Sequence, residues 1–261
     1  MEQCAGGRDV LSAGGVGKEP IVADAVSDFS VVATLYHPLK NLRSFRLFLH
    51  FHVAARRANG RGEHHAALPY TEIGDFMARL RQLECVAACA LEFAILTCTR
   101  TKETLGARWS EFNLAERLWV IPAERMKGGR EHRVPLSRPA LAVLEGMAAI
   151  RLSDFVFPGT KPNQRLGDMA LLVVLKRTQQ SDLTVHGLRS TFSDWCAERT
   201  GFSSEVREMA LAHAVSDKVE AAYRRGDLFD KRRQLAEAWA QFCAAPVIDA
   251  EVVPLATRAA R

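Results

Sequence analysis

The sequence predicts a mainly α-helical domain with a small antiparallel β-sheet, which places it in the α+β class. Three observations lead to this prediction: a long apolar segment at 86–97, two short strand-like segments around Gly128-Gly129, and a series of helical patterns toward the C-terminus. The chain has 261 residues, of which 48% are hydrophobic, so it is long enough to bury a sizeable core.

The first 65 residues differ from the rest of the chain. They contain Gly6-Gly7 and Gly14-Gly15, show no sustained periodicity, and end near the polar breaker Asn59-Gly60-Arg61-Gly62. We therefore predict a poorly ordered or atypical segment at 1–65, a folded domain at 66–243 and a C-terminal tail at 244–261. Residues 45–57 are apolar with basic flanks; we interpret them as a loosely docked helix, with a helix at a membrane surface as the alternative.

From Pro69 onward the apolar residues recur at helical spacing, beginning with Ile73, Phe76, Met77, Leu80 and Leu83. The next segment, 86–97, is apolar nearly all round, which is typical of a central helix buried on every side. Such a helix would present Arg100 at its end.

Two short strands are predicted at 118–122 and 131–136, around Gly128-Gly129. Glycine allows the positive φ angles that a hairpin turn requires, so Lys127 is placed at the tip of a hairpin. Ser137 then starts a helix, and Pro139 is tolerated in its first turn.

The rest of the domain is predicted to be helical apart from 155–158, a short buried strand or extended turn. Helices are predicted at 169–175, 185–199, 203–212, 217–225 and 230–242. The last of these either packs on its own domain or reaches into a neighbouring protomer, and the sequence leaves both open. Trp109, Trp119, Trp195 and Trp239 have apolar neighbours, which favours core packing over base stacking.

Composition narrows the function classes. The 35 lysines and arginines exceed the 30 acidic residues, which is consistent with a polyanionic partner and equally with an ordinary basic surface. The six cysteines include no Cys-x-x-Cys pair and are expected to be reduced and mostly buried. Because no stretch approaches the roughly 18 apolar residues of a membrane span, we expect a cytoplasmic protein.

A set of basic, imidazole and phenolic side chains marks the candidate active site: Arg100, Lys127, His186, Arg189, His213 and Tyr223. Guanidinium groups bind phosphate oxygens in bidentate fashion, and a tyrosine hydroxyl can attack a phosphodiester to form a covalent ester. A lysine or histidine can then protonate the leaving 5′ oxygen. This chemistry requires no metal, and no cluster has metal-site spacing, so we expect neither a metal nor a cofactor.

Each of these residues also has a structural interpretation. Arg100 could simply form an ion pair with Glu103, three residues later. A lysine at a hairpin tip such as Lys127 is commonly just solvated, and His213 could be a satisfied core histidine. His186 and Arg189 are three residues apart, which puts both on one helical face.

The amino-acid sequence of these segments resembles that of the tyrosine recombinases (phage integrases), and most closely that of the P4-type integrases of bacterial genomic islands. The resemblance runs from about His64 to Phe242 and rests on residues 97–109, His186-Gly187-Leu188-Arg189, Leu211-Ala212-His213 and Tyr223, with support from 126–136 and 223–228. It implies the fold of a tyrosine recombinase catalytic domain, with Tyr223 as nucleophile, Lys127 as proton donor and Glu103 in a supporting role. The two arginines and two histidines would bind the phosphate.

The resemblance further implies a site-specific DNA recombinase of a mobile genetic element. Its partners would be double-stranded DNA attachment sites, further copies of the chain, as a tetramer in synapsis, and an excision factor. By family analogy the attachment site would lie near a transfer-RNA gene. We expect additional DNA contacts from Arg130, Arg133, Arg224 and Arg225.

One departure from the family pattern concerns the N-terminal side. P4-type integrases carry an arm-type DNA-binding domain and a core-binding domain before the catalytic domain, and residues 1–65 match neither. We therefore expect a truncated integrase whose DNA affinity is reduced, because affinity depends steeply on the number of phosphate contacts. The sequence leaves two alternatives open: a catalytically idle DNA-binding remnant and a type IB topoisomerase.

Overall fold

The computed structural model of the chain describes residues 66–213 and 226–245. Its α-helices within these ranges are α1 (Ile73–Arg81), α2 (Val86–Thr97), α3 (Thr101–Leu105), α4 (Arg138–Ala148), α5 (Ala170–Arg177), α6 (Val185–Arg199), α7 (Ser204–Ala210) and α8 (Phe229–Ala244). The strands are β1 (Phe112–Asn113), β2 (Leu118–Ile121) and β3 (His132–Pro135). The predicted class, mainly α with a small antiparallel sheet, is confirmed. The predictions for 1–65 and 217–225 and most of the tail lie outside the described residues.

Helix α2 forms the centre of the domain. It contacts α1, α4, α5, α6 and α8, and its side chains are buried almost without interruption. An all-apolar helix has no face that favours water, so neighbouring helices must cover every side. Its one carboxylate, Glu92, is buried but accepts a hydrogen bond from Arg81 Nε at 2.8 Å, which compensates the charge.

The sheet is antiparallel in the order β1-β2-β3, with Trp119 opposite Val134. The turn after β2 contains Gly129 at φ 63°, and the Gly129 amide donates to the Met126 carbonyl at 3.0 Å. Strand β1 was not predicted because two residues are too few to show an alternating pattern. Its Phe112 stacks on Trp119, with ring centroids 5.2 Å apart.

Aromatic residues fill much of the core in two groups. Trp119 packs against Phe93, and Trp195 packs against Trp239 with ring centroids 5.0 Å apart. Trp119, Trp195 and Trp239 are all buried, so core packing is confirmed for these three. Trp109 is only half-buried.

Helix α8 packs on its own domain. It contacts α1, α2, α4, α7 and β3, and its apolar side chains Leu235, Trp239 and Cys243 are fully buried. The apolar face of α8 is therefore used within one chain.

The described cysteines are all free thiols, and Cys98, Cys196 and Cys243 are buried. Burial raises the pKa of the Cys89 thiol to about 12, which keeps it protonated and unreactive at neutral pH. Within 66–213 and 226–245, no helix is long and apolar enough to cross a membrane.

Gly187, near the start of α6, is required by close packing. A Cβ at this position would lie 2.1 Å from the carbonyl oxygen of Ala66 and 3.2 Å from Cα of Ala67. Both are backbone atoms, which cannot rotate away, so Gly187→Ala is expected to lower the free energy of unfolding by about 1–3 kcal/mol, as measured by urea denaturation.

Gly146 in α4 provides the matched control. A Cβ there would meet nothing within 4 Å, so Gly146→Ala is expected to stabilise the helix by about 0.5–1 kcal/mol. Equal effects of the two substitutions would show that the close approach at Gly187 is absent in solution.

Candidate functional site

The turn that presents Arg100 follows the end of α2. Cys98 adopts a left-handed conformation, with φ 54°, and ends the helix. The hydroxyls of Thr97, Thr99 and Thr104 then form a buried chain with oxygen separations of 2.9 and 2.8 Å. These hydrogen bonds between hydroxyl groups fix the path of the backbone, and Arg100 is the residue that directly precedes α3.

Glu103 holds Arg100 at two points. One carboxylate oxygen accepts from the Arg100 amide and the other from Arg100 Nη1, both at 2.8 Å. The third contact of Arg100 is more distant in sequence, because Nη2 donates to the Ala212 carbonyl at 3.1 Å. The guanidinium is thus oriented before any ligand arrives.

Arg189 is buried on α6 and contacts the same two regions. Its Nη1 donates to the Cys98 carbonyl and its Nη2 to the Leu211 carbonyl. Burial, and next the charge of Arg100, lower the pKa of Arg189. Its buried Nε has no hydrogen-bond partner among the described residues. A second positive charge beside Arg100 creates a site suited to an anion.

The backbone carbonyls that accept from the two arginines belong to the ends of α2 and α7. Ala212, like Cys98, is a non-glycine residue in the left-handed region, with φ 49°. Such conformations are unfavourable for residues with a Cβ and persist where the surroundings enforce them. Helix C-terminal carbonyls also carry partial negative charge, which favours a cation there.

His213 follows directly after Ala212. Its Nε2 lies 3.3 Å from Arg189 Nη2, and its Nδ1 lies 2.6 Å from an oxygen of Glu208. The ring is exposed, in contrast to Arg189. His213 is therefore beside the arginine pair and accessible from solvent.

Arg100, Arg189, Lys127 and His186 line one cleft of about 590 Å³. Lys127 lies in the turn between β2 and β3 and is exposed, as is His186 at the start of α6. Four of the six predicted catalytic residues thus share a cavity, and His213 contacts one of them. Tyr223 lies outside the described residues, together with Arg224 and Arg225.

The two remaining predicted DNA contacts, Arg130 and Arg133, differ in their surroundings. Arg130 is exposed next to the hairpin turn. Arg133 pairs with Asp227 at 3.1 Å and lies over the Phe229 ring at 4.3 Å, so it helps to hold the start of α8. It lines a second cleft of about 400 Å³ and does not line the one that contains Arg100.

Sequence reasoning missed Arg125 and Glu208. Arg125 lines the cleft and donates to a Glu111 carboxylate oxygen and to the Glu103 carbonyl, so it supports the turn that carries Arg100. Nothing in the spacing indicates either contact, because both join residues from separate turns. In the described part of the chain, no three His, Cys, Asp or Glu side chains are grouped as a metal ion would require.

Besides being partly buried, His132 on β3 lies close enough to Arg232, Arg100 and Arg189 for their charges to lower its pKa. Burial, and next the charge of Arg232, lower the pKa of His132 to about 4. Its ring is therefore neutral at physiological pH and adds no charge to the site.

Residues 67–227 match the model of the phage integrase family. The chain is 41% identical over 155 residues to the prophage integrase IntA of Escherichia coli K12, covering 58% of this chain and 37% of that protein. It is 29% identical to the integrase of Enterobacteria phage P4, covering 73% of this chain and 48% of that protein. Less than half the length of either relative is therefore matched.

Among solved structures, the integrase of mycobacterium phage Brujita has a similar fold, with a TM-score of 0.50 at 16% identity. The similarity covers 71% of this chain and 61% of that one.

Proposed function

This chain belongs to the phage integrase family, and on that premise we propose that it is a site-specific DNA recombinase of a mobile genetic element. It would cut one strand of DNA and rejoin it to another through a 3′-phosphotyrosyl intermediate. The observation that carries this proposal is the arrangement of Arg100 and Arg189. Both are oriented by backbone carbonyls and line the cleft that also contains Lys127 and His186.

The arginine pair suits a phosphodiester whose negative charge increases in the transition state. Donors that are already oriented stabilise that charge without reorganising at the moment of reaction. The guanidinium fork also matches phosphate oxygens better than an ammonium group does. His213, beside Arg189, would add a further donor, and His186 would contact the same phosphate.

In the proposed reaction, the Tyr223 oxygen attacks phosphorus and loses its proton to the solvent. The bond between phosphorus and the 5′ oxygen breaks, and Lys127 gives a proton to that oxygen, so a free 5′ hydroxyl results. Attack of another strand's 5′ hydroxyl on the phosphotyrosine reverses these steps and releases Tyr223. The number of phosphoester bonds is conserved throughout.

The partners would be double-stranded DNA attachment sites and further copies of the chain, because exchange joins strands cut by different active sites. Four copies would act in synapsis, and an excision factor would determine direction. Because the proposed substrate is chromosomal DNA, the reaction would take place in the cytoplasm.

The test uses nicked duplexes tiled across the chromosomal flanks of the gene. When the strand is cut next to a nick, the short fragment that carries the new 5′ hydroxyl diffuses away. Its loss prevents rejoining and traps the covalent intermediate. We expect a protein–DNA adduct that survives SDS with the wild-type chain and is absent with Tyr223→Phe. Salt-sensitive binding without an adduct would instead identify an idle DNA-binding remnant, and supercoil relaxation with little sequence preference would identify a topoisomerase.

A second arm of the same assay examines Lys127. Lys127→Ala should slow adduct formation by about 10²- to 10⁴-fold on ordinary DNA. A duplex with sulfur in place of the bridging 5′ oxygen should restore the rate, because a thiolate leaves without being protonated. An equal loss on both substrates would exclude Lys127 as the proton donor.

A further inference from the structure

Glu208 and His213 are brought together by the backbone turn that ends α7. The chain leaves α7, passes through left-handed Ala212, and the His213 amide donates to the Glu208 carbonyl at 3.0 Å. This turn places His213 Nδ1 at 2.6 Å from a Glu208 oxygen, although the two residues are five apart in sequence. Residues that meet on a regular helix are three or four apart.

The contact with Glu208 decides which ring nitrogen of His213 carries hydrogen. An ionised carboxylate only accepts hydrogen bonds, so Nδ1 is the protonated nitrogen. The other nitrogen, Nε2, lies 3.3 Å from Arg189 Nη2. In the neutral ring Nε2 accepts from Arg189, whereas in the imidazolium form it can donate to a phosphate oxygen.

Glu208 is also the anion that offsets several cations around His213. Arg189 approaches from α6, Arg100 donates to the neighbouring Ala212 carbonyl, and Arg207 donates to the second Glu208 oxygen at 3.3 Å. Glu208 is the carboxylate that contacts the His213 ring within the described part of the chain.

The ionisation of Glu208 fits this arrangement. Partial burial would raise the pKa of its carboxyl, but the hydrogen bond from His213 and the charges of His213 and Arg207 outweigh burial and lower that pKa. Glu208 is therefore ionised throughout the neutral range.

We propose that Glu208 is a positioning residue for strand cleavage: its carboxylate accepts a hydrogen bond from His213 Nδ1–H and thereby directs Nε2 toward the scissile phosphate beside Arg189. The proposal rests on the recombinase function proposed above. It assigns Glu208 no contact with DNA and no transfer of a proton to the substrate.

Both side chains are 42% exposed, so their ion pair contributes little to folding. Glu208→Gln should therefore leave the urea midpoint of unfolding close to that of wild type. Glu205→Gln removes the same charge from the same helix and is the matched control.

The first readout is ¹⁵N NMR of the His213 ring, assigned by its loss in His213→Gln. It requires no cleavage activity. In wild type and Glu205→Gln, we expect the neutral ring to carry hydrogen on Nδ1. In Glu208→Gln, we expect hydrogen to shift toward Nε2, because a neutral amide oxygen accepts from Nδ1–H more weakly than a carboxylate does. Identical spectra in all three proteins would overturn the proposal.

The second readout is the rate of adduct formation on the nicked duplex. Glu208→Gln should be about tenfold slower than wild type, and the same substitution should cause no further loss in a His213→Gln background, because Glu208 acts only through His213. An equal loss in both backgrounds would contradict the positioning role. If wild type forms no adduct, the recombinase function fails, while the NMR result still decides whether Glu208 holds His213.

Discussion

Replacing Arg189 with lysine is expected to slow adduct formation by about 10²- to 10³-fold, a typical cost of losing one well-placed transition-state donor. The ammonium group keeps the charge but is a compact point donor, whereas Arg189 uses separate nitrogens for the Cys98 and Leu211 carbonyls. A lysine that satisfies one carbonyl cannot also hold the second and present a donor to phosphate.

The stability effect of Arg189→Lys should be smaller than its effect on catalysis. One of the two buried carbonyls would lose its donor, at a cost of about 1–3 kcal/mol in the free energy of unfolding. DNA affinity should fall only modestly, because one of many phosphate contacts is weakened. Loss of activity with the fold and DNA binding retained would be specific to the chemical step.

Arg199→Lys is the matched control, because Arg199 lies on the exposed surface of the same helix. The measurement compares the single-turnover rates of adduct formation of both variants at saturating protein concentration. A wild-type rate in Arg189→Lys would exclude the guanidinium fork as a source of transition-state stabilisation.

The fold was predictable where local chemistry determines it. Helix α2 has the predicted bounds because its apolar run leaves no polar face, and α4 begins after Ser137 with Pro139 in its first turn, as predicted. The turn beside Lys127 contains Gly129 at φ 63°, a conformation that the sequence indicated through its glycine pair.

The site was less predictable because its contacts join distant parts of the chain. Arg189 contacts carbonyls of Cys98 and Leu211, 91 and 22 residues away, and backbone carbonyls have no sequence signature. The pairing of Glu208 with His213 depends on left-handed Ala212, where alanine gives no signal of a positive φ. Residue types therefore indicated the chemistry, while the groups that orient those residues emerged only from the fold.

Trp239→Ala is expected to lower the free energy of unfolding by about 3–5 kcal/mol, the range for deleting a buried aromatic side chain. Trp239 is fully buried, packs edge-on against Phe192 at 5.4 Å, and its Nε1 donates to the Ile95 carbonyl at 2.9 Å. Ile95 belongs to the last turn of α2, which leads to Arg100. The substitution should therefore loosen both α8 and the helix end that supports the site.

Gln241→Ala on the exposed side of α8 is the control and should change stability by less than about 0.5 kcal/mol. Urea denaturation of both variants at several protein concentrations distinguishes the two placements that the sequence left open for this helix, on its own domain or in a neighbouring protomer. If α8 covers its own domain, as in the structure, the loss in Trp239→Ala is independent of concentration. A loss that varies with concentration would instead mean that Trp239 fills the core of a neighbouring copy, because only an intermolecular contact follows mass action.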